Sequence, residues 1–421
     1  MRFIATAVVV LTLGCATRSS TATITRLDGT RIAIPAASKL AREILAAQHV
    51  VGGQIAVVNR RQLVWSEAFG VRSLDPPLPM QRTTTTWAAS ITKSIFAIYV
   101  MQLVERGEFD LETPIAKQLP KPLDQYEPFG DAASLLVQDV RWQRVTPRML
   151  LSHTSGLRNF AFIEDDKKMH IHFDPGTQYS YSGDGIAVLQ LLIEVKKHRP
   201  LDALMQEAIF TPLGMTRTGM IFRPEFEADI ADRFDAEGKF HSKTGRSSAR
   251  AAGSMTATAD DLARFASALF AGEIIKPATR REMLSPMIRI RSLHQFFVTR
   301  GEPEGTEGPA VGLSYGLGWG LLTRTPYGPA FFKEGHGDGA QTYMICFERH
   351  QSCMIILTNS DNGEFAFRPL LEGILGDTVS HGSGRATHPN TSPPRARTAT
   401  DYRSSALGPY KPGSGISLSR M

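Results

Sequence analysis

Ser90 and Lys93 stand three residues apart in Ala89-Ser90-Ile91-Thr92-Lys93. On a helix, positions three apart share a face, so the lysine amine can reach the serine hydroxyl. A serine hydroxyl is a weak nucleophile until a neighbouring base removes its proton, and a lysine can act as that base once desolvation lowers its pKa. This spacing arises by chance in many chains, so the surroundings carry the argument. Ile91 to Arg106 is apolar on nearly every face at its start and turns polar at Gln102 and Glu105. A helix that is hydrophobic all round is a buried one. Its N-terminus also points backbone N–H groups at charge developing on a substrate.

Two other segments could join this pair. In Pro175-Gly176-Thr177-Gln178-Tyr179-Ser180-Tyr181-Ser182-Gly183-Asp184-Gly185 the Pro-Gly turn and later glycines form a tight loop entering a helix at Ile186. A phenol held near a cationic lysine becomes acidic enough to shuttle a proton, which makes Tyr181 a candidate. By itself a tyrosine packing a loop onto the core is the commoner case. Gly335-His336-Gly337-Asp338-Gly339 precedes a strand expected from Ala340 to Phe347. Clustered glycines at a strand start let a substrate or another backbone approach closely, and His336 could donate a hydrogen bond there. His170 and His172 read as ordinary loop histidines. With no zinc spacing and no Gly-rich phosphate loop, neither metal nor other cofactor is expected.

The elements that must position these residues fall in a definite order. QIAVVNRRQLVWSEAFG (54–70) reads as a hairpin, following a helix expected from Ala37 to Gln48. AQTYMICFERHQSCMIILTN (340–359) gives two more β-rich runs about a turn at Arg349-His350, with a helix expected around Glu364 to Leu375. Between these ends the chain is mainly helical, with candidates at Pro147 to Leu151, Ile186 to Lys197, Leu201 to Ile209 and Ala259 to Phe270. The fold class is therefore α+β. A sheet built from both chain ends (36–80 and 313–376) carries an inserted helical domain (81–312). After Gly376 the small, polar, Pro-rich composition indicates a disordered tail over 377–421.

The 421 residues are 42% hydrophobic and 21% charged, with a formal charge of +6. No Lys/Arg cluster is interleaved with aromatics, so a nucleic-acid partner is not expected. MRFIATAVVVLTLGCA joins one arginine, a short apolar run and a small-residue exit, the pattern of a secretory signal over residues 1–20. Leu13-Gly14-Cys15 resembles a lipoprotein box, so attachment to an envelope through Cys15 is a further expectation. Cys346 and Cys353 lie symmetrically about the expected turn. Two readings stay open for them: a cross-strand disulfide, or two small buried hydrophobes, which is favoured.

In order along the chain, the sequence resembles the serine β-lactamase and penicillin-binding-protein superfamily, in its class C branch with D,D-carboxypeptidases, D-aminopeptidases and family VIII carboxylesterases. The resemblance runs from about Gly52 to Gly376. It is carried by Ala89-Ser90-Ile91-Thr92-Lys93-Ser94, Met101-Gln102-Leu103-Val104-Glu105-Arg106-Gly107, Leu150-Leu151-Ser152-His153-Thr154-Ser155-Gly156-Leu157, Tyr181-Ser182, Pro212-Leu213-Gly214-Met215, Ala251-Ala252-Gly253-Ser254-Met255, Tyr315-Gly316-Leu317-Gly318-Trp319 and Gly335-His336-Gly337. It implies that Ser90 forms an acyl-enzyme while Lys93 and Tyr181 exchange its proton. It places His336 where many relatives carry the lysine of a Lys-Thr-Gly triplet, and the backbone N–H groups of Ser90 and Gly339 as the oxyanion hole. His153 belongs to a recurrent loop signature and is read as structural. Lys243-Thr244-Gly245 matches the triplet literally but sits in a polar stretch and is read as a surface loop.

Two departures bear on substrate. Gly183 stands where relatives carry the asparagine of Tyr-x-Asn, and Asp338 where the triplet has glycine. With Gly337 these are the expected substrate-binding positions. The reading that follows is an exported serine hydrolase acting on small carboxylic esters. Its alternatives are a D-amino-acid peptidase or weak β-lactamase, and a non-catalytic cell-wall or ligand-binding relative. If Asp338 lines the site it repels substrate carboxylates; if it turns away, a residue such as Arg250 could anchor them.

Overall fold

The computed structural model describes residues 22–292 and 307–380. The expected signal segment with Cys15 and most of the expected tail lie outside the described residues. The chain enters through β1 (Thr23–Thr25), β2 (Arg31–Ala33) and α1 (Ile34–Ala47), then lays down β3 (Gly52–Asn59), β4 (Gln62–Leu74) and β5 (Pro77–Pro79). After the short β6 (Thr86–Trp87) come α2 (Ile91–Glu105), α3 (Ile115–Gln118), α4 (Pro147–Leu151), α5 (Gly183–Lys197) and α6 (Leu201–Met205). The hairpin β7 (Asp232–Phe234) and β8 (Phe240–Lys243) follows, then β9 (Thr256–Ala257), α7 (Ala259–Ala271) and α8 (Pro277–Met283). The C-terminal part supplies β10 (Ile288–Arg289), α9 (Glu307–Val311), β11 (Leu313–Tyr315), β12 (Gly320–Leu322), β13 (Ala330–Gly337), β14 (Ala340–Phe347), β15 (Ser352–Thr358) and α10 (Glu364–Leu370).

Nine strands form one antiparallel sheet in the order β10-β11-β12-β13-β14-β15-β3-β4-β5. The two ends of the chain meet at its centre, where β15 pairs β3 with Ile355 opposite Ala56. Every residue of β3 and β15 is buried, as strands covered on both faces must be. Alternation splits their side chains between two cores. Ala56, Phe331, Met344 and Ile355 face the helical layer around α2, while Ile55, Phe332, Tyr343 and Ile356 face the layer of α1 and α10.

Several boundaries differ from expectation. The sheet reaches back to Ile288 rather than starting at 313, and α7, expected in the helical insertion, packs on β3, β4 and β15. β13 begins at Ala330, ten residues before the first strand expected there, because Phe331 and Phe332 each fill a different core. Asp377 and Ser380, assigned to a disordered tail, are buried, and Asp377 N–H donates to the Leu371 carbonyl. The β14–β15 connection is Glu348–Gln351, not a two-residue turn, since Phe347 pairs Ser352.

Cys346 pairs Cys353 directly, and the two are joined in a disulfide with Cα atoms 4.1 Å apart. The favoured sequence reading, two free buried thiols, took the typical cross-strand separation. The tight approach here matches a non-hydrogen-bonded pair, where opposed side chains come closest. Among the described residues no helix is long and apolar enough to cross a membrane.

Candidate active site

The turn from β6 into α2 presents Ser90 as the N-cap of the buried helix. Ala89 takes the left-handed conformation, φ 44°, which alanine adopts at a penalty of roughly 1–2 kcal/mol. That strain is held by flanking contacts: Ala88 N–H donates to Met255 O and Ala88 O accepts from the Thr342 hydroxyl. One helical turn on, Lys93 is 1% exposed, and its Nζ donates to Ser90 Oγ at 3.0 Å and to the Ala252 carbonyl at 2.5 Å. Burial holds the Lys93 amine well below the usual lysine range. The nearby Lys333 pushes the same way and Asp184 opposes it.

Tyr181 comes from the loop that enters α5 and is hydrogen-bonded to Ser90. Burial pushes its phenol above the ordinary tyrosine value, with the Ser90 bond opposing. Lys93 Nζ lies 4.8 Å from the ring centroid of Tyr181 and Lys333 Nζ 4.6 Å from it. His153 holds this loop from behind: its carbonyl accepts from Ser180 N–H and its Nδ1 accepts from Ser182 N–H at 3.2 Å. Its ring packs on Tyr181 and Tyr315 at 4.5 and 4.8 Å between centroids. Burial, together with Lys333 and Lys93, lowers the His153 pKa well below the ordinary value. The ring is therefore neutral, and with Nδ1 accepting, its proton is on Nε2.

β13 closes the opposite side, and strand parity decides which residues face Ser90. Lys333 opposes Met344 and Gly335 opposes Thr342, on the face of the helical core. A Cβ on Gly335 would lie 2.7 Å from Ala88 O and 2.9 Å from Ser90 N, so only glycine lets the strand approach Ser90 this closely. Lys333 is 2% exposed, and burial lowers its pKa from an ordinary 10.5 to about 7, with Glu334 opposing. The triplet at the site is thus Lys333-Glu334-Gly335, which sequence reasoning missed. The signal was present: in AFFKEGHG (330–337), alternation puts lysine and the first glycine on one face.

His336 falls on the other face, a correction to its expected place. Its Nε2 meets Glu334 Oε2 at 2.8 Å and its Nδ1 meets Gln341 Oε1 at 2.5 Å, with Glu364 at 3.8 Å. The imidazole is on the α10 side of the sheet and cannot replace a lysine beside Ser90. Its backbone is better placed. Gly337 and Ala340 close the two-residue turn at 338–339, so His336 and Gln341 form a non-hydrogen-bonded pair whose N–H groups point away from each other. β12 pairs β13 only at 330–332, leaving the outer edge at 336 clear of that strand.

Gly339, the expected oxyanion donor, instead gives its N–H to Asp361 Oδ1 at 2.6 Å, beyond the turn. Asp338 also leaves the site: its carboxylate lies 3.8 Å from His241 and its carbonyl accepts from Arg233. Gly337 is on the Ser90 face but covered, since a Cβ there would sit 2.2 Å from the Trp87 ring. The space a side chain at Gly183 would need is filled by the Phe160 ring at 2.2 Å and Asn159 Oδ1 at 3.0 Å. Asp184, the next residue, is half-buried; burial raises its pKa to about 7 while Ala161 N–H, donating to it at 2.6 Å, pulls it down. Lys243 of the literal triplet is exposed at the end of β8. His170 and His172 each pair their own carboxylate, Asp166 and Glu164.

The arrangement sets a serine hydroxyl between a desolvated amine and a phenol, with a second buried amine behind the phenol and a glycine-lined strand edge opposite. The family model described as Beta-lactamase matches residues 37–375. Esterase EstB of Burkholderia gladioli is 28% identical over 232 residues, covering 47% of this chain and 56% of that protein. The octameric penicillin-binding protein homologue from Pyrococcus abyssi superposes with a TM-score of 0.66 at 22% identity, over 83% of this chain and 78% of that one. The D-amino acid amidase from Ochrobactrum anthropi SV3 superposes with a TM-score of 0.62 at 22% identity, over 81% and 99% of the two chains. At these identities the structural likenesses establish the fold, β-lactamase/transpeptidase-like.

Proposed function

The chain belongs to the beta-lactamase family, and from that premise we propose that it is a serine hydrolase working through an acyl-enzyme on Ser90. The observation that carries the reading is the 3.0 Å contact between Ser90 Oγ and the amine of a fully buried lysine. Lys93, favoured in its neutral form, takes the serine proton as Oγ attacks the substrate carbonyl. The oxyanion is met by the N–H groups of Ser90 and His336, the latter replacing Gly339. Tyr181, between Lys93 and Lys333, returns a proton to the leaving group, and water then releases the acyl group with Lys93 or Tyr181 as base. A non-catalytic binder has no use for a desolvated lysine held against a serine, which counts against that alternative. No cofactor takes part.

For substrate we favour small carboxylic esters. An amide nitrogen must be held and protonated as it leaves, and Gly183 offers no side chain to hold it. A site missing one buried partner commonly loses roughly 1–3 kcal/mol. Amide or peptide turnover is the second reading, favoured by one observation: the Asn159 amide stands beside Gly183. The turning away of Asp338 also removes one argument against carboxylate-bearing substrates. Export, with or without a lipid on Cys15, remains a proposal from residues 1–20 and is checked by the mass of the mature N-terminus.

The test is kcat/KM for p-nitrophenyl butyrate against nitrocefin and a D-Ala-D-Ala peptide, with fluorophosphonate labelling of Ser90 followed by mass spectrometry. Ser90→Ala should abolish turnover and labelling with the fold intact. Equal or greater efficiency on nitrocefin or the peptide overturns the ester preference, and an unlabelled Ser90 overturns the mechanism.

A further inference from the structure

The helices that begin at Ser90 and just past Tyr181 meet again at their far ends, around an open cavity of about 370 Å³. That volume falls in the range of small-molecule sites. Arg106 caps α2 and Lys197 ends α5; Arg199 follows where the chain turns through His198 in the left-handed conformation, φ 51°. At about 1.5 Å of rise per residue, Arg106 stands roughly 24 Å along α2 from Ser90, so the cavity is not part of the catalytic centre. The remaining wall is α6 with the wide π-helical turn Gln206–Phe210 that continues it, which brings Leu204, Glu207 and Ala208 to the lining. Turns of this kind recur at functional positions.

Tyr99 is the most buried residue of the lining, at 3% exposure, and its ring packs in the core of the helical layer. Burial pushes its phenol above the ordinary tyrosine value, and the charges acting on it are those of Arg106, Glu108, Arg199 and Glu207, all of which line the cavity. Its hydroxyl thus faces the cavity, and among the described residues it makes no hydrogen bond. Buried polar groups find partners, and the partner of this phenol has to come from the cavity side.

The chemistry of the rim selects the kind of partner. Arg106 gives its Nε–H to Glu108 Oε1 at 2.6 Å, Lys197 binds the other oxygen of that carboxylate, and Arg199 meets Glu207 at 2.8 Å. Three cations therefore face two carboxylates, and each guanidinium keeps N–H donors that these contacts leave unused. The surplus is one of positive charge and of donors, which suits an acceptor-rich anion. Leu204 and Ala208 add apolar surface for a short carbon skeleton.

We propose that this cavity is a second ligand site, separate from the catalytic centre, and that its ligand is a small organic carboxylate. The carboxylate accepts from the Tyr99 hydroxyl and from the Arg106 and Arg199 guanidinium groups, while its apolar body lies on Leu204 and Ala208. The site stands independently of the hydrolase reading; under that reading, the acid released from a small ester is such a ligand.

The probe is 4-fluorobenzoate against its neutral counterpart 4-fluorobenzamide, each titrated into the Ser90→Ala protein and followed by fluorine NMR. The benzoate should bind at least about tenfold more tightly than the amide, with its affinity falling as salt is added. Tyr99→Phe keeps the buried ring and loses only the hydroxyl, and Arg199→Gln alters a surface side chain whose ion-pair partner is also exposed. Each, made in the Ser90→Ala background, should weaken benzoate binding by about tenfold. Undiminished binding in either variant, equal affinity for the amide, or no binding at millimolar concentrations overturns the proposal. Tighter binding of zwitterionic 4-fluorophenylalanine than of 4-fluorobenzoate overturns the assignment to a simple carboxylate.

Discussion

Lys333 is buried, at 2% exposure, and replacing it with methionine, close in volume but without the amine, separates what this group does for stability from what it does for chemistry. Its pKa falls from 10.5 in an unfolded chain to about 7 in the fold. Between those values the unfolded chain holds a proton that the folded one has released, so stability rises with pH across this window. At and below pH 7 the penalty stands in full. At about 1.4 kcal/mol per tenfold, it amounts to roughly 4–5 kcal/mol at pH 7 and roughly 2 kcal/mol at pH 9. Methionine removes this penalty and gives up the lysine's own hydrogen bonding, worth about 1–2 kcal/mol. Urea unfolding should therefore find Lys333→Met more stable than the native protein by about 3 kcal/mol at pH 7, with the advantage nearly gone by pH 9. On ester substrate the same variant should lose at least about 10²-fold in kcat, as for a lost proton-transfer partner. A Lys333→Met protein that is no more stable at pH 7 and follows the native pH slope refutes the electrostatic argument. Near-native kcat refutes the placement of Lys333 in the proton path.

Gly335→Ala drives a methyl to 2.7 Å from Ala88 O and 2.9 Å from Ser90 N, so fluorophosphonate labelling of Ser90 should slow by at least about tenfold. Gly183→Asn meets the Phe160 ring at 2.2 Å; it should lower the unfolding midpoint and leave nitrocefin hydrolysis no higher than in the native protein. Cys346 and Cys353 should resist alkylation in denaturant without reductant, and Cys353→Ala should lower unfolding free energy by about 2 kcal/mol, the value for a short closed loop.

Much of the site was legible because it is local. Ser90 and Lys93 are one helical turn apart, and the apolar composition of α2 announces the burial that lowers the amine's pKa and frees it to accept a proton. Tyr181 is marked by the glycines that bend its loop into α5. The β-rich runs at both ends were enough to place them in one sheet, since strands at both ends around a helical middle imply a single sheet with an inserted helical domain. His153 was recognisable as structural, though not as the group that holds the Tyr181 loop through Ser180 and Ser182.

What the sequence determined by itself was therefore the pairing of Ser90 with Lys93, the loop that carries Tyr181 and the α+β class. These depend on periodicities that repeat every few residues. The tertiary structure decided the rest. On a strand, shifting the assignment by one residue moves every side chain to the opposite face. The choice between Lys333 and His336 thus hung on where β13 begins, and that is set by Phe331 and Phe332 filling two separate cores. The filling of the Gly183 space by Phe160, the pairing of Cys346 with Cys353 and the meeting of Lys197 with Glu108 join residues 7 to 89 positions apart. Such contacts are chosen by the packing of whole elements against one another, which no local pattern encodes.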